Sequence, residues 1–269
     1  MCLSCFVINP KTSTHQYKFI LGFNRDEFYA RENAPLEWHD SLLGGWDMAP
    51  GREYGSWLTM SRTGRVGILT NVLVPRPDPN GLARGKLVTD FASSSFSPED
   101  YFRSLPLDQF NEFNLSAIDL LTKHGAWISS KDSRKTILSE DKRYVMSNAR
   151  QLNSKWLKAQ KIKTKFDAVD LDRPKDEIID EMLTLLQDSE SCGQCPLITE
   201  QSEGFVEKAI GMERYNSIKI TGDERYGTRT HSVIIVDKKN QCTFVELDRK
   251  ANGQWHRRCE EFELESTLR

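Results

Sequence analysis

Cys2 lies directly after the initiator methionine, and the run Asn24-Arg25-Asp26-Glu27 comes shortly afterwards. Met1 is readily removed when the second side chain is small. Its removal would leave a cysteine bearing its own α-amine. That amine has a pKa of about 7.7–8.0, so part of it is unprotonated at neutral pH and can take the thiol proton. The thiolate could then act as a nucleophile. The plainer reading of Cys2 is a buried residue of an early strand. Residues 2–9 and 17–23 read as two strands of a hairpin, which would return the 24–27 cluster to the N-terminus. A carboxylate there could hold an ammonium, and a guanidinium could steer an anion or stabilise developing negative charge. The competing reading is a solvated turn with a local salt bridge.

The elements that must position these residues follow from periodicity. Residues 33–55 hold four glycines and read as an irregular loop, before strands at 56–60 and 65–72. Three prolines exclude a helix or central strand at 75–81. Helical periodicity starts near Arg84 and resumes at Pro98, with Ser97 as N-cap. Residues 114–147 read as β. Two helices follow, at 153–166 and 175–187, the second with an apolar stripe through Ile178, Ile179, Met182, Leu185 and Leu186. The lysines at 155, 158, 161, 163 and 165 read as a solvated face. Strands return at 229–237, 241–248 and 257–264. Strands outnumber helices and adjoin as hairpins. This predicts an α+β fold of antiparallel sheets covered by helices, one domain over 1–269, with a loop insertion at 188–216.

Composition narrows the function classes. A net charge of −2 excludes a surface that grips nucleic acid or anionic membrane as a whole. No apolar run approaches the ~20 residues that span a bilayer. No secretory signal or transit peptide is expected, so the chain reads as cytoplasmic, with its six cysteines reduced. Cys192-Gly-Gln-Cys195 has no second pair for zinc and no βαβ context for thioredoxin chemistry, so no metal site is expected. Cys5, Cys242 and Cys259 are most simply core. His231 opens an apolar strand. It is either a satisfied strand-edge histidine or a ligand in a pocket shared with Arg229.

Ordered motifs through the whole chain add a resemblance. They are Met1-Cys2, Asn24-Arg25-Asp26-Glu27-Phe28-Tyr29, Gly45 with Asp47, Gly55-Ser56-Trp57-Leu58 and Leu69-Thr70-Asn71. Arg84-Gly85 with Leu87-Val88, Phe113-Asn114-Leu115, Ser147-Asn148 and Tyr226-Gly227-Thr228-Arg229-Thr230 complete the set. The chain resembles the transport and Golgi organisation protein 2 family, also called the NRDE family. That family is similar to cysteine-type N-terminal nucleophile hydrolases, such as penicillin V acylase and bile salt hydrolase. The resemblance implies an αββα sandwich. It also implies a site of Cys2, Arg25, Asp26, Asn71, Asn148 and Arg229, the asparagines acting as oxyanion or amine-orienting donors. Arg25 and Asp26 are adjacent, so on one strand only one of them enters the pocket unless a turn re-aims the other. The resemblance further implies intracellular haem trafficking or chaperoning, with links to acyl-CoA and lipid handling, mitochondria and Golgi organisation. Candidate haem or anion contacts are Arg25, Arg229, His231 and Cys195, the last in a Cys-Pro dipeptide. The alternative is a hydrolase that acts on an amide or acyl thioester with Cys2.

Overall fold

The computed structural model describes residues 2–14, 16–131, 133–221 and 224–265, and only the backbone of Glu207. The expectation about Met1 lies outside the described residues. The chain opens with β1 (Cys2–Ile8), β2 (Tyr17–Phe28), β3 (Asn33–His39), β4 (Leu42–Asp47), β5 (Leu58–Ser61) and β6 (Arg65–Asn71). Helices α1 (Gly85–Ser93) and α2 (Pro98–Ser104) follow, then β7 (Phe113–Asp119), β8 (His124–Ser129), β9 (Arg134–Ile137) and β10 (Arg143–Met146). Next come α3 (Leu157–Ala168), α4 (Lys175–Leu186), α5 (Pro196–Ser202), α6 (Phe205–Ala209) and α7 (Met212–Tyr215). The last elements are β11 (Tyr226–Asp237), β12 (Gln241–Arg249) and β13 (Trp255–Glu263).

The strands form two sheets, ordered β10-β1-β2-β11-β12-β13 and β3-β4-β5-β6-β7-β8-β9. Every pairing is antiparallel. Three apolar layers hold the stack. One lies between α3, α4 and the first sheet, where Ile162, Phe166, Ile178 and Met182 pack on Cys5, Val7 and Ile20. The second lies between the sheets, around Phe6, Phe19, Phe23 and Trp127. The third lies between the second sheet and α1 and α2, around Val88, Phe91 and Phe102. Each fully buried side chain of this size contributes about 1.5–3 kcal/mol. The expected order of helix, sheet, sheet, helix is therefore the observed one.

Local sequence explains the start of α2. Ser97 caps α2, its Oγ accepting from the Asp100 N–H at 3.1 Å. Several expectations change, and one is that Cys259 belongs to the core: it is exposed on β13, where the outer strand has no second sheet neighbour among the described residues. The 33–55 loop contains β3 and β4, because Gly44 and Gly45 sit where the sheet needs a missing side chain. A Cβ on Gly45 would lie 2.5 Å from the Trp57 ring. The 24–27 cluster is no turn but the end of β2. There β1 and β11 pair with both of its edges, with Cys2 opposite Arg25 and Tyr226 opposite Phe28. Residues 188–216 carry three short helices, and Ile198, Met212 and Tyr215 join the helix-side core. Among the described residues no helix is long and apolar enough to cross a membrane.

Candidate functional site

A cleft of about 470 Å³ opens where the ends of β1 and β2 meet β6 and the segment leading into α1. Strand alternation sorts the 24–27 cluster across it. Arg25 and Glu27 face the cleft and Asn24 faces the helices, while Asp26 contributes to the cleft lining with its carboxylate turned to Thr228. Asn24 is structural. Its Nδ2 donates to the carbonyls of Leu186 and Ile218 at 2.8 and 2.9 Å. With Nδ2 so engaged, Oδ1 accepts, and His231 Nδ1–H donates to it at 2.6 Å. His231 is thus a neutral imidazole, stacked on Trp255 at 4.6 Å, and burial lowers its pKa to about 3. Asp26 Oδ1 accepts from Thr228 Oγ1 at 2.6 Å. Burial raises its carboxyl, and Lys158 pulls the other way.

On the cleft side, Arg25 is 3% exposed and its guanidinium lies over the Trp57 ring at 3.9 Å. Its Nη1 has no hydrogen-bond partner among the described residues. Burial lowers its pKa, and Glu27 opposes that shift. The Cys2 thiol lies on the same face of the sheet. Burial raises it to about 11, so the ground state is a thiol. Arg31 pairs with Asp47 at 2.5 Å and lies 3.9 Å from Glu27. Burial pushes Glu27 upward, but the positive charges around it, Arg25 and Arg31 among them, hold it below its usual value. Arg84, lowered to about 10 by burial and by Arg52, donates to the Glu112 carbonyl at 2.9 Å. Four arginines against Asp26, Glu27 and Asp47 leave an excess of positive charge in the cleft. Phe28 and Leu82 stand exposed at its rim, so the lining is amphipathic.

The other expected site residues divide. Asn71 lines the cleft. Asn148 sits behind it, donating from Nδ2 to the Asn71 carbonyl at 2.8 Å. Arg229, on a bulge between β2 and β11, caps the carbonyls of Phe28 and Arg31 beside Arg25. His231 and Cys195 do not join the cleft. Asn24 holds His231 on the helix side of the sheet, and Cys195 is packed in the helix-side core. Neither is placed as a haem contact there. Cys2 is the one cysteine, histidine, methionine or tyrosine among the residues lining the cleft.

Lys158 also departs from expectation. It is fully buried, donating to the Tyr215 carbonyl at 3.2 Å with Nζ 3.9 Å from the ring centre. It shares the inward face of α3 with Ala159 and Ile162. Burial brings its pKa down to about 8. Sequence reading missed Trp57, Arg31, Arg52, Arg84 and Asn114 as site residues. Asn114 Nδ2 bonds the carbonyls of Ser147 and Ala149 and so fixes Asn148. The signal for Trp57, Arg84 and Asn114 was their place in the ordered motifs. Arg31 and Arg52 carried none. Among the described residues no group of three or more His, Cys, Asp or Glu is gathered to hold a metal.

Two antiparallel sheets between helix layers, with a cysteine opening the first strand, define a fold of the N-terminal nucleophile hydrolase type. A C2A mutant of the conjugated bile acid hydrolase from Clostridium perfringens superposes with a TM-score of 0.51. The match covers 98% of this chain and 92% of that one at 10% identity, a likeness of fold alone. The family model described as Transport and Golgi organisation 2 matches residues 1–251, and the chain belongs to that family. The Transport and Golgi organization 2 homolog of Mus musculus is 32% identical over 99% of this chain and its own full length. The Homo sapiens homolog is also 32% identical, again over 99% of this chain and all of its own. The Drosophila melanogaster protein is 27% identical over 96% of both.

Proposed function

We propose that the protein binds and carries an amphipathic anion, haem or an acyl-CoA, in the cleft beside Cys2. The observation that supports this most is Arg25, buried on Trp57 with an unpartnered Nη1 beneath a rim that exposes Phe28 and Leu82. A buried guanidinium with an unbonded Nη1 favours an incoming carboxylate or phosphate, which it can bond strongly. The exposed apolar rim suits a hydrophobic body. In this reading haem is cargo, its propionates meeting Arg25 and Arg84. The carrier works in the cytoplasm, in association with mitochondria or the Golgi. Titration of purified protein with ferric haem, ferrous haem and a fluorescent acyl-CoA tests it. Saturable binding that Arg25→Ala weakens on the order of 10- to 100-fold is expected. No saturable change with any of the three overturns it.

A second reading rests on Cys2, which opens β1 opposite Arg25 with Asn71 on the cleft wall. After loss of Met1, the α-amine would take the thiol proton. The thiolate would add to an amide or thioester carbonyl and expel the amine or thiol. Water would then release the acid from the acyl-cysteine. Cys2→Ala separates the readings: a carrier keeps its affinity, whereas a hydrolase loses turnover. An N-terminal mass that retains Met1 rules out the second.

A further inference from the structure

β13 is the outer strand of the six-stranded sheet, and no strand pairs with its far edge among the described residues. Its nine residues run Trp255-His256-Arg257-Arg258-Cys259-Glu260-Glu261-Phe262-Glu263. They contain no proline, and they pair with β12 in unbroken register from Arg249–Trp255 to Gln241–Glu263. Arg257, Arg258 and Cys259 are exposed. Glu261 pairs with Lys175 of α4, but neither arginine has a carboxylate partner among the described residues. A long, regular, open edge is a template for another strand unless its charges repel one.

Here the charge order selects one partner. β13 is basic before Cys259 and acidic after it. Laid antiparallel to itself about Cys259, it sets Arg258 opposite Glu260 and Arg257 opposite Glu261. Twofold symmetry repeats both pairs. A slip of one residue leaves a single Arg–Glu pairing in each half, Arg257 with Glu260 or Arg258 with Glu261, in place of two. Centring on Arg258 or on Glu260 brings like charges face to face, which is unfavourable. The strand is therefore most complementary to itself in the register centred on Cys259.

We propose that two copies of this chain associate edge to edge through β13, antiparallel about Cys259, fusing their first sheets across a twofold axis. The contact is isologous, so one patch serves both copies. Main-chain hydrogen bonds supply the affinity, and the charge order supplies the register. Cys259 then faces the same residue of the second copy. Directly opposed antiparallel residues have Cα atoms about 4.5–5.5 Å apart, inside the range of about 4.4–6.8 Å that a disulfide spans.

Light scattering coupled to size-exclusion chromatography of the full chain tests this, with circular dichroism to confirm folding of each variant. The expected result is a dimer at micromolar concentration. R257E/R258E should weaken it at least tenfold, and E260R/E261R likewise. The fourfold swap R257E/R258E/E260R/E261R should restore it, because it inverts both members of each Arg–Glu pair across the axis and keeps their complementarity. With 4,4′-dithiodipyridine, which takes up the protons and electrons of two thiols as two thiopyridones, the wild type should form a covalent dimer. C259S should stay dimeric without the link. A monomer at every concentration, a dimer indifferent to the reversals, a swap that fails to restore it, or a dimer that never links through Cys259 overturns the proposal.

Discussion

Asn24 and Arg25 are covalent neighbours that serve opposite faces of one strand. Asn24 satisfies the last turn of α4 through the Leu186 carbonyl, the Ile218 carbonyl and the N–H of His231. Removing it would leave these buried groups without partners, each a desolvation cost. We therefore expect Asn24→Ala to lower unfolding free energy by about 2–4 kcal/mol in urea denaturation. Arg25→Ala should leave the urea midpoint closer to wild type and act on ligand affinity. Equal stability losses in the two variants would contradict this division. The cluster was legible in the sequence as a chemical feature. Its division was not, because it depends on β2 running on to Phe28. That extension comes from strand pairing to Cys2 on one side and Tyr226, almost 200 residues on, on the other.

At the scale of elements, two short motifs distant in sequence meet at the cleft. Gly55-Ser56 packs backbone to backbone on Gly85 at the start of α1, where the Ser56 N–H donates to the Gly85 carbonyl at 3.1 Å. A Cβ on Gly85 would lie 2.9 Å from both Gly55 Cα and Ser56 N. Backbone cannot swing aside as a side chain can. Gly85→Ala should therefore cost about 1–3 kcal/mol in denaturant unfolding. It should also weaken anion binding, since Arg84 is tied to the same contact. Unchanged affinity would show that Arg84 does not reach the ligand. Helices α1 to α4, the Ser97 cap of α2 and most strands were readable from periodicity and capping residues, whereas the short helices within 188–216 were not. β3 and β4 were not, because glycines that read as loop are strand residues pressed against Trp57 and Leu58. Lys158 misled for the matching reason. Its helix carries lysines around most of its circumference, and only packing decides which one turns inward.

Across the whole molecule, Glu246 joins the two sheets. It stands on β12 of the first sheet and accepts from the Leu36 N–H of β3 in the second at 2.8 Å, with Ser232 Oγ at 3.3 Å. Burial raises its pKa from 4.5 to about 7, with Asp248 adding to the rise and Arg25 opposing it. A carboxyl whose folded pKa exceeds its unfolded one holds its proton more tightly in the native state. Its contribution is complete below about pH 4.5 and is lost as the pH rises through about 7. Glu246→Gln keeps an acceptor for Leu36 and removes the titration. It should raise stability above pH 7 by on the order of 2 kcal/mol and flatten the profile from 4.5 to 7. Thermal unfolding across that range checks this, and a wild-type profile that matches the variant would refute it.

By itself the sequence determined the α+β class, the family and the motifs that carry polar chemistry, because periodicity, capping and ordered motifs are local properties of the chain. It also carried the self-complementary charge order of β13. Which of those polar groups share a cavity was decided only by tertiary structure. Strand alternation sends Arg25 to the cleft and Asn24 to the helices. Long-range pairing holds His231 away from it on Asn24, and the sheet order leaves β13 as an edge. Each of these depends on which segments become neighbours in space, and no local spacing encodes that.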